Sequence, residues 1–373
     1  YPFILSNYAI FSNLRNLNYV TILHLIPKYA KGNKRIRINE IPNEFGAYID
    51  INLRNVTSQY HSLIQNRCLN DFYAESTDFG LLINSQYTHL EPLFLEPLRL
   101  SSLDILQFDN KFDASKLKPA KPRYSLYSFE ELDDTVRLDA QYFAEFDLES
   151  NRTFKNLCDL IDLVKPFFVD GYSIIVPKED FYRISQDTEL SLYTEEPDYF
   201  DLLNTRVAFV KNNDNYYSTF YLLQRYVENS IYRILRRNKK YQIKSGFVFE
   251  NKVASLLENY GFDKVSGVKR INHKEFDVVC KKNNRIFNFQ CKNNYFNASE
   301  INSNRLNVSV RYHKYLANYY NKALKKEYDR EHLLKEKIGN YEVENYVITR
   351  FPVITSNPRV IPFNTLERWL MDN

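Results

Sequence analysis

Two short runs on either side of an Asn-Asn pair constrain this chain more tightly than anything else in it. Glu275-Phe-Asp-Val-Val-Cys-Lys281 and Arg285-Ile-Phe-Asn-Phe-Gln-Cys-Lys292 are rich in β-branched and aromatic residues, and Asn283-Asn284 lies between them. Asn tolerates the positive φ that a two-residue turn needs, so the pattern predicts an antiparallel hairpin closed by that pair. Such a turn also fixes register, because partners across it share one index sum. Asp277 then falls opposite Gln290, and Glu275 opposite Lys292. Side chains alternate faces along a strand, so these four share one side. Phe276, Val278, Cys280, Phe287, Phe289 and Cys291 take the other. The expectation is one apolar face for a core and one compact polar cluster.

Upstream, Ser245 to Tyr260 predicts an amphipathic helix, with Gly261 where a helix stop belongs. Its apolar stripe holds Phe247, Val253, Ala254 and Leu257, and Glu250 lies on the same stripe. A core-facing carboxylate is costly unless a cation, metal or donor meets it; at the stripe's edge it would reach solvent instead. Downstream, Arg311 to Lys337 predicts a basic helix. It suits a nucleic-acid backbone, and equally an exposed helix with i,i+4 ion pairs.

Charge separates this region from the rest. From Tyr241 onward the chain carries 22 Lys and Arg against 14 Asp and Glu, while the first 240 residues carry 28 against 32. A net charge of +4 therefore conceals a basic C-terminal part. Just before it, Arg233, Arg236, Arg237, Lys239, Lys240 and Lys244 follow one another without an intervening acid. Such a run suits phosphate contacts, and also a solvated helix end. Acidic stretches at Glu130–Asp134 and Glu195–Asp198 suit solvated turns better than metal sites.

Several classes are excluded. The eight glycines form neither GxGxxG nor GxxxxGK[ST], so no nucleotide-binding loop is recognisable. The six histidines and four cysteines never reach zinc-ligand spacing, and neither GxSxG nor HExxH occurs. Cys68, Cys158, Cys280 and Cys291 lack disulfide-framework spacing, which points to a reducing cytoplasm. No stretch approaches the roughly 20 apolar residues of a membrane span, and the start lacks the pattern of a signal peptide. The only methionine is Met371, so the sequence reads as a fragment or a trimmed product.

The 373 residues, 44% of them hydrophobic, can supply one large core or two to three smaller ones. Asp113 to Tyr124 has the Pro/Lys/Ala composition of a linker. Three parts result: 1–112, of no assigned chemistry; 124–240, a mixed α/β region; and 241–373. In the middle part Thr153–Val169 predicts a helix, Tyr172–Val176 and Arg206–Val210 short strands, and Tyr217–Arg237 a long helix.

The polar cluster suits phosphodiester hydrolysis. A hard divalent ion such as Mg²⁺ takes oxygen ligands, here the Asp277 carboxylate, the Gln290 side-chain carbonyl and the Cys291 backbone carbonyl. The ion polarises a phosphate and activates water; Lys292 orients that water and offsets developing charge. Glu250 would hold the ion through water or bind a second one. The same hairpin also suits a surface sheet with a Glu275–Lys292 ion pair and solvated Asp277 and Gln290.

Glu250 on a helix, then Asp277, then Gln290-Cys291-Lys292 on the following strand, resembles the PD-(D/E)xK (restriction-endonuclease-like) nucleases. The Gln-x-Lys form after Asp-Val-Val is closest to the Mrr-like branch. Glu344 to Thr355 resembles that fold's later strand and Thr365 to Leu370 its closing helix. The resemblance covers 241–373. It implies an α/β (α+β mixed) domain, a central mixed sheet flanked by helices, preceded by a mixed α/β region. It further implies a Mg²⁺- or Mn²⁺-dependent endonuclease acting on DNA, in restriction or defence against foreign DNA. Asp277 would then be the metal-binding aspartate, Gln290 the replacement for the usual acid, Lys292 the catalytic lysine and Glu250 the helix glutamate. The first 240 residues would select substrate, form a homodimer or bind a protein partner. Gln290 departs from the usual acid. A degenerate module of the same fold that binds nucleic acid or a protein without cutting therefore stays open, as does a purely structural or regulatory role.

Overall fold

The computed structural model describes residues 59–69, 74–77, 80–83, 128–301 and 303–372. The expected linker at Asp113–Tyr124 and most of 1–112 lie outside the described residues. The described residues divide into two compact units, one within 1–59 and 109–239 and the other within 60–108 and 240–373.

In the first unit, helices α1 (Phe129–Tyr142), α2 (Arg152–Val164), α3 (Lys178–Thr188) and α4 (Phe220–Arg237) accompany three antiparallel strands. These are β1 (Ser173–Pro177), β2 (Val210–Asn212) and β3 (Asn215–Thr219), in the order β1-β3-β2. Polar caps set where helices begin. The Asn151 side chain accepts from Phe154 N–H at 3.2 Å to start α2, and Thr219 accepts from Leu222 N–H at 3.1 Å to start α4. Four expectations are corrected. The helix over Thr153–Val169 stops at Val164, because Pro166 has no N–H to continue the ladder and a 3₁₀ turn takes over. Arg206–Val210 is mostly not a strand: Val207, Ala208 and Phe209 are buried in a loop, where the last two donate to Leu192 C=O. The segment Tyr217–Thr219 belongs to β3 rather than to the long helix. The acidic Glu130–Asp134 stretch opens α1 rather than forming a turn, with Ser128 as its cap, since early carboxylates complement a helix N-terminus.

The second unit is built on a five-stranded mixed sheet. Helix α5 (Lys239–Asn259) leads into β4 (Asp263–Lys264), β5 (Val278–Lys282) and β6 (Arg285–Lys292). Helix α6 (Leu306–Ile338, 33 residues) crosses to β7 (Glu342–Thr349); β8 (Val360–Pro362) and helix α7 (Phe363–Asp372) close the chain. Sheet order is β8-β7-β6-β5-β4. The pairs β4/β5 and β5/β6 are antiparallel, and β6/β7 and β7/β8 parallel. The hairpin has the expected register, from Arg285 opposite Lys282 to Phe289 opposite Val278. Asn283 and Asn284 both take positive φ, 48° and 61°, as a type I′ turn demands.

Both faces of this sheet are covered. Leu316, Tyr320 and Leu324 of α6 pack on Val347 and Val360, and Leu333 and Leu334 pack on Val279 and Ile286. On the opposite face Phe287, Phe289 and Tyr346 meet Phe262 and Trp369. The end of α5 delivers Phe262 there. Gly261, at φ 78°, lets Gly261 N–H reach Glu258 C=O and Phe262 N–H reach Leu257 C=O at 3.1 Å, the Schellman closure. Helix α5 also starts six residues before its expected beginning, and its buried stripe is Tyr241, Ser245, Phe249, Val253, Ala254 and Leu257. Phe247, assigned to that stripe, is 47% exposed. Beside α6, a helix at 59–68 packs Ile64 against Ile354 and partly buried Val310. Among the described residues all four cysteines are free, and no helix is long and apolar enough to cross a membrane.

Candidate active site

Asp277 sits one residue before β5, where the ladder with β6 ends, and its side chain takes over the pairing. Asp277 Oδ2 accepts from Cys291 N–H at 2.8 Å and from the Gln290 Nε2 amide. Asp277 and Gln290 thus meet across the hairpin as the register requires. No donor among the described residues is bonded to Asp277 Oδ1. Lys292 follows Gln290 by two positions on β6, paired in register with Thr349 of β7, and its charge acts on Asp277 to favour the ionised form.

Glu250 approaches from α5. It borders, with Asp277, Phe276, Lys269, Val278 and Val279, a cavity of about 60 Å³. That is room for an ion with water, far below the several hundred Å³ of a small-molecule pocket. Burial, reinforced by the Asp277 charge, pushes the Glu250 carboxyl up to about 7, against the opposing pull of Lys269 at 3.5 Å. Burial likewise raises Asp277, opposed by Cys291 N–H and Lys292. A carboxylate raised by a second one across a shared cavity suits a cation between them.

Two expected members are placed differently. Glu275 does not face Lys292: it is exposed, in a separate ribbon of Arg270–Ile271 with Lys274–Glu275, opposite Arg270. Phe276 leaves the Phe287/Phe289 face and packs with Val279, Ile286, Leu333 and Leu334 beneath α6. The cause is shared, since strand alternation starts only at Val278 and does not govern residues upstream of it.

Helix α6 contributes what the hairpin alone does not reveal. Glu327, 1% exposed, accepts from Asn288 Nδ2 at 2.9 Å and from Arg330 Nε at 2.9 Å, and pairs with Arg330 Nη2. Arg330 Nη2 also donates to Gln290 Oε1 at 2.8 Å, and its guanidinium lies 4.7 Å from the Phe276 ring centre. Asn288 continues the chain to Asn345, and Asn345 to Glu331. A signal for Glu327 does exist in the sequence: it follows Tyr320 and Leu324 at helical spacing, a carboxylate on an apolar stripe like Glu250. The basic outer residues of α6 remain, but its inner face covers the sheet, so it is not simply an exposed helix. Arg233, from the basic run upstream, is likewise committed inward in the first unit, donating to Asn204 and Thr205 carbonyls at 3.1 and 2.7 Å.

As a metal centre the donor set is short. Among the described residues no three His, Cys, Asp or Glu side chains converge as ligands. Asp277 and Glu250, with open carboxylate oxygens on one small cavity, fit a hard divalent ion completed by water. Gln290 does not join them as it stands, because its carbonyl faces the Arg330 guanidinium and its NH₂ faces Asp277. No protein-family model, curated protein or solved structure matches this chain.

Proposed function

We propose that the unit containing 240–373 is a metal-dependent nuclease that hydrolyses DNA phosphodiester bonds. One observation carries the reading: Asp277, oriented by Cys291 N–H, shares a small cavity with Glu250 while Lys292 stands two residues beyond Gln290. The strand expected near Glu344 pairs in parallel with the strand that carries Gln290 and Lys292, which is in keeping with the nuclease resemblance.

Asp277 and Glu250 would hold a Mg²⁺ or Mn²⁺ ion, which supplies charge neutralisation at the phosphate and a more acidic bound water. Cys291 N–H fixes the Asp277 carboxylate through Oδ2, and Oδ1 would be the oxygen left for an ion. Lys292 offsets negative charge as it builds on the phosphate, an interaction strongest in the transition state. Lys269 lies beside Glu250 and lessens its repulsion from Asp277 until an ion or a phosphate arrives.

The orientation of Gln290 favours a second reading, a module of the same build that binds nucleic acid or a protein partner without cutting. Supercoiled plasmid, linear DNA and RNA incubated with Mg²⁺, Mn²⁺ or EDTA separate the two. Metal-dependent cutting of DNA that EDTA stops supports the nuclease. Intact substrates under every metal would remove it in favour of the binding module.

A further inference from the structure

We infer that Arg330 is the positioning residue of this site, and that it makes Gln290 an orienting donor to Asp277 rather than a metal ligand. The inference rests on the nuclease reading for its consequence and on the geometry of α6 and β6 for its substance.

The Gln290 amide sits between a group that can only donate and a group that, when ionised, can only accept. Arg330 Nη2 meets Gln290 Oε1 at 2.8 Å, and Gln290 Nε2 meets Asp277 Oδ2. Turning the amide over would set NH₂ against guanidinium N–H and the carbonyl against a carboxylate, so both contacts forbid the flip. Arg330 in turn cannot swing away freely. Its Nε and Nη2 grip the two oxygens of Glu327, which is buried and further fixed by Asn288 at 2.9 Å. Its guanidinium also lies over Phe276, the residue before Asp277. The clamp therefore reaches Asp277 by two routes, through the Gln290 amide and through the Phe276 ring.

This assigns a reason for a glutamine where an acid is usual. A glutamate at 290 would satisfy Arg330 with one oxygen and press the other against Asp277 Oδ2. The amide instead donates there and with Cys291 N–H satisfies Oδ2, which leaves Oδ1 without a donor among the described residues on a carboxylate that borders the cavity shared with Glu250. An Arg–Glu clamp behind a ligand-orienting amide is an outer-shell arrangement, and disturbing such partners lowers metal affinity about 10- to 100-fold.

The test uses the full chain with Mn²⁺ as the only probe, its affinity measured by calorimetry and by the paramagnetic resonance of the free ion. A second, metal-free readout is the side-chain NH₂ resonance of Gln290 in ¹⁵N-glutamine-labelled protein, assigned by its loss in Gln290→Glu. Arg330→Lys keeps an ion pair with Glu327 but loses the planar fork that also reaches Gln290; Trp369 fluorescence checks that this variant folds. Asp277→Asn should abolish Mn²⁺ binding. Arg330→Lys should weaken it 10- to 100-fold and shift the Gln290 NH₂ resonance, with Gln290→Ala weakening it similarly and the double variant no further. Unchanged affinity and an unchanged resonance in Arg330→Lys would overturn the inference, as would an anomalous-scattering map placing Mn²⁺ on Gln290 Oε1. Wild-type protein that binds no Mn²⁺ would sink the metal-dependent function instead. The clamp would then stand or fall on the metal-free resonance alone.

Discussion

Replacing Glu327 by alanine strikes a concentrated, buried polar contact of the second unit. The carboxylate is 1% exposed and receives Asn288 Nδ2, Arg330 Nε and Arg330 Nη2. Asn288 keeps its bond to Asn345, so the loss falls on Arg330, a cation only 19% exposed, left with Gln290 Oε1 and the Phe276 ring. Removing one partner of a buried pair costs about 3–5 kcal/mol, because the other charge stays desolvated without compensation. Against a domain stability of about 5–15 kcal/mol this is a large fraction. Adding Arg330→Met withdraws the stranded charge, so the double variant should recover at least about 2 kcal/mol of the loss. Denaturant unfolding followed through Trp369, the chain's one tryptophan, measures all three, since its ring packs on Phe289 and Tyr346 of the same sheet. A single-variant loss under about 1 kcal/mol, or a double variant as unstable as the two singles added, would refute the reasoning.

Lys292→Ala should lower DNA cleavage by at least about 100-fold while changing DNA affinity only a few-fold, as gel-based cleavage and filter binding would show. Burial lowers His61 to about 3, helped by His313, and lowers His313 to about 4. Both therefore stay neutral when folded but take up protons when unfolded, so stability is retained above the unfolded value near 6.5 and lost as pH falls below it. Unfolding measured from pH 7.5 to 5 should show that decline, and His313→Leu should flatten it; a pH-independent wild type would contradict the buried, neutral pair. Asn284→Gly should stabilise the hairpin by up to about 1 kcal/mol and Asn284→Val destabilise it by about 1–2 kcal/mol, given the left-handed φ of 61°; equal melting temperatures would argue against that turn.

What the sequence made legible was local. Asn283-Asn284 specifies its own turn, and the turn specifies every partner up to Phe289 and Val278 because the pairing repeats without interruption. Extrapolation one step further holds for Asp277 and Gln290, whose side chains replace the backbone ladder. It fails for Glu275, which belongs to a different ribbon, and for Phe276, which no strand holds. Helix α5 was readable from its Gly261 stop and its face from Val253, Ala254 and Leu257, but Phe247 was not, since Phe247 and Phe249 are equally apolar and only tertiary packing chooses Phe249. The Arg330–Gln290 contact spans 40 residues. Neither residue's neighbourhood announces it, because which helix lies over which strand is decided by the parallel β6–β7 crossover.

That crossover also orders events in time. The β5–β6 hairpin closes across two residues, so the Asp277–Gln290 pair can form on the microsecond scale of local turns. The parallel partner β7 arrives only after α6 has been traversed, and with it Arg330 and Glu327, because distant strands meet only once the intervening chain closes. During folding the amide of Gln290 is thus oriented first by Asp277 alone, and helix docking then locks that orientation through Arg330. Transition-state mapping should accordingly find native-like contacts at Phe287 and Val278 before those of Leu324 with Val347, and the reverse order would place α6 docking first.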